Sequence, residues 1–149
     1  MSRLIIALVC LGLVFAGTAV LRGAAPAESP IEEKKAIAGP QIELIMLMID
    51  KGEFDKIPVA FQKVLDLKFT GKHEKMVVDT IMIMSEQLNG KKQEKVSLKV
   101  VDMGLESVKE KDSLARLYKE KGFIYKLLNM PDEAMKMFEK GRALETGTK

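Results

Sequence analysis

The chain has 149 residues, enough for one domain, and its 47% hydrophobic and 30% charged residues exclude global disorder. Its 24 basic and 21 acidic residues give a net charge of +3, and most of this excess comes from Arg3 and Arg22 near the N-terminus. The remainder is nearly neutral, so the charge gives no evidence for nucleic-acid binding.

The N-terminal segment contains an uncharged apolar run, Leu4–Leu21, between Arg3 and Arg22. This pattern predicts that residues 1–27 are a signal peptide, cleaved after Ala27 or Ala19, or an uncleaved membrane anchor. An anchor fits because 18 residues rising about 1.5 Å each just span a bilayer core of about 30 Å. Both alternatives stay open. Each predicts an exported protein, either periplasmic or tethered to the membrane facing the periplasm or exterior.

Residues 28–40 are rich in Ala, Pro, Glu and Lys, and we expect them to form a linker. Pro30 and Pro40 should discourage a continuous helix there. The only cysteine, Cys10, lies within the apolar run before this linker. The remaining domain therefore needs no oxidising compartment.

From residue 41 onward the apolar spacing is helical, and turn signals recur every 15 to 20 residues. No pattern favours a strand, so we predict an all-α domain over residues 41–146. The expected helices are Gln41–Lys51, Lys56–Leu67, Lys72–Leu88, Gln93–Val108, a fifth that is capped by Asp112 or Ser113 and ends near Leu128, and a sixth over Pro131–Leu144.

The last two predicted helices carry the most informative motif of the chain. Its residues are Gly122, Tyr125, Asn129, Pro131, Ala134, Phe138 and Gly141. This pattern resembles the tetratricopeptide repeat, in which two antiparallel helices meet at small residues and aromatic side chains fill the gap. The resemblance implies three antiparallel helical hairpins stacked as a short right-handed superhelix. It also predicts that Gly122 contacts the sixth helix at Ala134 or Phe138.

The first two predicted helical hairpins share only the apolar spacing of this motif. Their second helices place apolar residues four and three apart, at Ile57, Phe61 and Val64 and again at Val96, Val100 and Met103. Repeats of this family are usually about 34 residues long. The second helices of successive units here lie farther apart than that along the chain, which implies longer linkers between helices. A simple helical bundle is the alternative architecture.

Repeats of this kind bind other polypeptides, so the resemblance implies a non-catalytic protein–protein interaction module: a scaffold, assembly factor or accessory subunit at the cell envelope. Matching the family's frame predicts a groove for a protein or peptide partner on the first helix of each hairpin. The groove residues would be Ile42, Met46, Ile49, Val78, Met82, Lys119, Phe123 and Lys126. In the alternative, these residues close a compact core and no groove exists.

An enzymatic function has little support in the sequence. His73 is the only histidine and lies between Lys72 and Glu74, where a surface position is expected. With no cysteine after Cys10 and a single histidine near a helix start, neither a Cys–His nor a Ser–His–Asp arrangement is supported. The glycines occur singly at helix ends and form no phosphate-binding loop. We therefore expect no catalytic residues and no cofactor.

Three Met-x-Met pairs suggest an alternative function as a methionine-rich, Cu(I)-handling envelope protein, because thioethers are soft ligands. The pairs are Met46/Met48, Met82/Met84 and Met135/Met137. Residues two apart on a helix point about 200° from each other, so one pair cannot chelate a metal. Gap-filling between helices is the favoured role, and no metal site is expected.

The sixth predicted helix closes the domain without a capping helix after it. A stack of helical pairs generally needs such a cap to cover its last apolar face. Met135 is angled away from the stripe that packs on the fifth helix. We therefore expect Met135 to serve self-association or the docking of a partner.

Overall fold

The computed structural model describes residues 29–147, and within this range it contains six α-helices and no strand. This part of the chain is therefore all-α, as predicted. The helices are α1 (Pro30–Lys51), α2 (Ile57–Leu65), α3 (Glu74–Gly90), α4 (Glu94–Ser107), α5 (Lys111–Leu127) and α6 (Pro131–Thr146). Short 3-10 turns, Phe54–Lys56 and Gly71–His73, precede α2 and α3.

Helix α1 begins eleven residues before the predicted start, so the prediction of a linker over residues 28–40 is wrong from Pro30 onward. The Ser29 side chain accepts the Glu32 N–H, and Pro30 occupies the first turn, where no backbone donor is needed. Pro40 lies inside the helix; the residue before it is Gly39, which has no Cβ to meet the proline ring. Ala38 is fully buried, so packing favours the helix across this segment.

The predicted signal peptide or anchor at residues 1–27 lies outside the described residues. Among residues 29–147, no helix combines the length and the apolar character needed to cross a membrane.

Contacts within three pairs of consecutive helices, α1 with α2, α3 with α4 and α5 with α6, join rising residue numbers on the first helix to falling numbers on the second. The two helices of each pair therefore run in opposite directions. The pairs are Lys34 with Lys68 and Gln41 with Ala60, Ile81 with Gly104 and Ser85 with Ser97, and Ala115 with Gly141 and Gly122 with Phe138. Other helices also meet: α1 packs on α3, α3 on α5, α2 on α4 and α4 on α5. The most extensive contact is between α5 and α6.

One apolar core extends from α1 to α5. Its largest fully buried side chains include Ile45, Phe61, Ile81, Leu117 and Ile124. Each such side chain contributes about 1.5–3 kcal/mol when it leaves water. The predicted frame of α2 is confirmed, since Ile57, Phe61 and Val64 are all buried.

Three glycines lie where an added Cβ would meet a neighbouring helix. A Cβ on Gly104 would overlap Ile81 Cδ1, and one on Gly141 would lie 2.9 Å from the Ala115 carbonyl oxygen. A Cβ on Gly122 would lie 2.9 Å from the Phe138 ring. The predicted contact of Gly122 with the sixth helix is therefore confirmed, whereas Gly104 was not predicted.

Candidate partner-binding face

Helices α3 and α5 are joined on their solvent side by an ion pair. Arg116 Nη2 lies 2.8 Å from Asp79 Oδ1, and both side chains remain roughly half exposed. A second contact, Ser85 with Glu120, follows farther along both helices in the same direction. The two helices therefore run alongside each other, and the Asp79–Arg116 pair marks the side that faces solvent.

Apolar side chains follow this ion pair along both helices. Ile83 is one turn after Asp79, and Phe123 and Leu127 are two and three turns after Arg116, so all three lie near the side marked by the pair. Their exposed fractions are 50%, 52% and 57%, respectively. We call these five residues, Asp79, Ile83, Arg116, Phe123 and Leu127, the α3–α5 face.

Phe123 has a fixed position within this face. Its ring packs edge-to-face against Phe138 of α6, with centroids 5.0 Å apart and an interplanar angle of 76°. This geometry is the one that the aromatic quadrupole favours. Helix α6 thus supports one side of the Phe123 ring, while about half of the Phe123 side chain stays available to a partner.

The end of the face near the starts of α3 and α5 is polar. An open cavity of about 860 Å³ lies there, lined by Gly71, Lys72, Lys75, Asp79, Glu110, Asp112, Ser113 and Arg116. Its lining contains three cationic and three acidic side chains, so their formal charges cancel. The cavity therefore offers hydrogen bonds and local ion pairing without a net charge that would attract a strongly charged ligand.

A buried carboxylate holds the α4–α5 loop beside this cavity. Glu74 is 2% exposed, and its Oε2 accepts the backbone N–H groups of Lys109 and Glu110, each at 2.9 Å. These donors precede α5, and Glu110, its N-cap, makes no capping bond with its own side chain. Glu74 therefore holds, from α3, the two residues that immediately precede α5.

A buried polar cluster lies where α3, α4 and α5 meet. Ser85 and Ser97 are fully buried, with their hydroxyl oxygens 2.7 Å apart, and Ser85 donates to Glu120 Oε1. Asn89 donates to the Ser85 hydroxyl, while its own buried Oδ1 has no hydrogen-bond partner. The cluster links three helices by directional bonds and so fixes their relative register.

The predicted groove residues do not form one surface. Ile49 and Val78 are fully buried, so their assignment to the groove is wrong, and they belong to the core. Ile42, Met46 and Met82 are half-buried and pack against that core. Their burial agrees with the alternative in which these positions close the domain.

The predicted groove residues of α5 have different environments. Lys119 pairs with Glu145 of α6 and lies beside Gly141, so it helps to hold the two helices together. Phe123 and Lys126 are exposed. Met135, predicted to serve docking or self-association, is also exposed, and its role stays a prediction.

Arg116 and Leu127 of α5 were missed although they lie in the same helical row as the predicted Phe123, whereas Asp79 and Ile83 were missed because the rotation of α3 about its axis could not be predicted. Apolar residues occupy several sides of that helix, including Met76, Val77, Ile81, Met82 and Ile83. The signal that could have located its outer side is Asp79, the one acidic residue within this run. The exposed apolar residue is Ile83, next to the predicted Met82.

The methionine pairs mostly take part in packing. Met84 is fully buried, Met137 is nearly so, and Met46, Met48 and Met82 pack against the core. Within residues 29–147 there is no group of three or more His, Cys, Asp or Glu side chains placed to hold a metal ion.

Comparison with known proteins gives no relative: no family model matches the sequence, and no curated protein or solved structure is significantly similar to it. The interpretation of the site therefore depends on its own geometry.

Proposed function

We propose that this protein is a non-catalytic protein–protein interaction module at the cell envelope, in which three helical hairpins stack in the manner of tetratricopeptide repeats. It would act as a scaffold, assembly factor or accessory subunit. Its partner would be a polypeptide that binds across the first helices of neighbouring hairpins.

The helix contacts support this arrangement. The reversed register within α1–α2, α3–α4 and α5–α6 supports three hairpins, and the contacts of α1 with α3 and of α3 with α5 support a side-by-side packing of their first helices. Gly122 and Gly141 lie at the close approach of α5 and α6, as the repeat motif requires. Export to the envelope rests on the apolar run Leu4–Leu21.

The observation that carries the proposal is the exposed apolar row of Ile83, Phe123 and Leu127 beside the Asp79–Arg116 pair. Interface cores typically combine aromatic and aliphatic anchors with a polar border that fixes orientation. A helix or extended segment with two apolar anchors and a polar end would match this row.

A photo-crosslinking experiment in the native host tests the proposal. A photoreactive phenylalanine analogue is placed at Phe123 or at Ile83 in the full chain, and at Lys95 as a control. Lys95 is exposed on α4, which contributes no residue to the α3–α5 face. We expect adducts with the same second protein from Phe123 and Ile83 but not from Lys95.

A second substitution makes the result specific. Ile83→Glu should reduce the adduct formed from position 123 at least about tenfold, because a buried unpaired carboxylate opposes docking, while Lys95→Glu should leave it unchanged. Equal adducts from all three positions, or none from Phe123 and Ile83, would contradict the proposal.

A further inference from the structure

Helix α1 is apolar on two opposite sides, and only one of them is covered. Ala38, Ile45 and Ile49 face the core and are fully buried. On the other side, Ile37, Leu44 and Leu47 are 54%, 44% and 56% exposed. A helix with apolar residues on both sides is normally buried on both, so the second stripe indicates a missing neighbour.

The exposed stripe has the spacing of a coiled-coil seam. Its members are Glu33, Ile37, Pro40, Leu44, Leu47 and Lys51, all exposed and separated alternately by four and three residues. This is the a/d pattern of a heptad repeat, the pattern with which one helix packs against another. The stripe therefore fits a helix as its partner better than an irregular peptide.

The stripe is also complementary to the same stripe on a second, antiparallel α1. If a second α1 lies antiparallel with the two-fold axis at Ile42, Ile37 opposes Leu47 of the second copy and Pro40 opposes its Leu44. The same axis places Glu33 opposite Lys51. Every position of the seam thus finds a suitable partner in an identical helix, and this self-complementarity is what a two-fold symmetric interface requires.

Helix α2 enlarges the same surface. A shallow groove between α1 and α2 is lined by Leu44, Met48, Val59 and Lys63, among others. Val59 is 70% exposed and extends the apolar area beside Leu44. A second α1 in the seam would cover this groove as well.

We propose that the α1 seam is the interface of a homodimer, with two α1 helices packed antiparallel about Ile42. This surface is separate from the α3–α5 face, so the dimer would present two partner-binding faces. The dimer proposal does not depend on the proposed function, so either proposal can fail without the other.

Cysteine cross-linking of the full chain in detergent tests the register. In a Cys10→Ser background, the double variant Ile37→Cys/Leu47→Cys should form a disulfide-linked dimer under mild oxidation. The two positions are ten residues apart, roughly 15 Å along the helix, too far for a disulfide within one chain. Each single variant should stay monomeric on a denaturing gel, because its two copies would also be roughly 15 Å apart.

Ile83→Cys, equally exposed on another surface, is the matched control. Cross-linking of either single variant as efficiently as the double variant would exclude this register. Failure of the double variant to exceed Ile83→Cys would exclude the dimer. Adducts with other proteins instead of a second copy, or protection of Leu44→Cys by lipid vesicles without dimerisation, would also overturn the proposal.

Charge reversal supplies an independent measurement. Lys51→Glu should weaken dimerisation by about three- to tenfold, as expected for two exposed like-charge contacts per dimer. Adding Glu33→Lys to the same chain should restore it. Circular dichroism of each variant checks that the helices are retained, and a double variant weaker than the single one would contradict the Glu33–Lys51 pairing.

Discussion

Phe138 of α6 occupies the space in which a side chain on Gly122 of α5 would lie: a Cβ there would be 2.9 Å from Phe138 Cε1 and 3.0 Å from two further ring atoms. A glycine within a helix costs about 1 kcal/mol relative to alanine. The close approach of the Phe138 ring to the α5 backbone is the packing that offsets this cost.

Gly122 and Gly141 should respond differently to the same small substitution. The obstacle at Gly122 is a half-buried ring that can shift, whereas the obstacle at Gly141 is the Ala115 carbonyl oxygen, which the α5 backbone holds in place. We expect Gly122→Ala to change the free energy of unfolding little and Gly141→Ala to lower it by about 1–3 kcal/mol. Urea unfolding measures both.

A larger side chain at Gly122 should also be destabilising. Gly122→Leu should lower the free energy of unfolding by a few kcal/mol, on the order of 1–3, because the ring cannot move far enough. The exposed Gly90, at the end of α3, has no atom within contact distance of an added Cβ and is the matched control. An unchanged melting temperature for Gly122→Leu would be inconsistent with the packing of α5 on α6.

Removal of the Glu74 carboxylate should free the loop before α5. Glu74→Ala leaves the Lys109 and Glu110 N–H groups without their acceptor, which should cost about 1–3 kcal/mol. Glu74→Gln keeps an amide oxygen and should cost less. Amide hydrogen exchange at Lys109 and Glu110 should accelerate in Glu74→Ala; unchanged exchange there would show that other contacts hold the loop.

The ion pair between Lys121 and Asp102 should make stability depend on alkaline pH. Burial opposes the charge on Lys121, but the hydrogen bond and the attraction of Asp102 outweigh it, so the pKa of Lys121 is raised above 10.5. Because the folded-state pKa is raised, the stabilisation is fully present below about pH 10.5 and is lost as the pH passes the raised value.

Asp102→Asn tests this dependence. The variant should be less stable than the parent at pH 8, and the difference should shrink as the pH rises above the raised pKa of Lys121. Chemical denaturation at several pH values measures it. A difference that stays constant to the highest pH would show that Asp102 acts through packing and not through the charge of Lys121.

The methionines should not bind copper tightly. In the full chain with Cys10→Ser, a Cu(I) titration under reducing conditions should show no stoichiometric site, because Met84 is fully buried and most of the others contribute to packing. Competition with a Cu(I) chelator provides the measurement. Tight binding that is lost in Met46→Leu/Met48→Leu would instead support the metal-handling alternative.

Met135 provides a comparison with the α1 seam. If self-association depends on the last helix, Met135→Lys should shift the protein toward monomer, and Leu44→Glu should not. The proposed α1 dimer predicts the reverse. Analytical ultracentrifugation of both variants at micromolar concentration distinguishes them, and capture of a membrane partner that is lost only in Met135→Lys would assign Met135 to docking.

Local sequence determined the helices and most of their ends. Apolar spacing and single turn residues predicted six helices and no strand, and Gly52 and Asn129 do adopt the positive φ that ends a helix. Small residues beside aromatic ones predicted the contact of Gly122 with α6. These features depend on residues close in the chain, and their conformational preferences can be read from the sequence.

The tertiary structure decided which side of each helix is buried. Leu47 and Ile49 are similar in chemistry and lie two residues apart, yet Leu47 is 56% exposed and Ile49 is fully buried. Packing against neighbouring helices determines this difference. The burial of Ala38 in the same packing stabilises α1 across Pro40. A sequence gives the period of an apolar pattern, but the direction in which it faces is set by which helices pack against it, because the energy of burial belongs to the contact and not to the single helix.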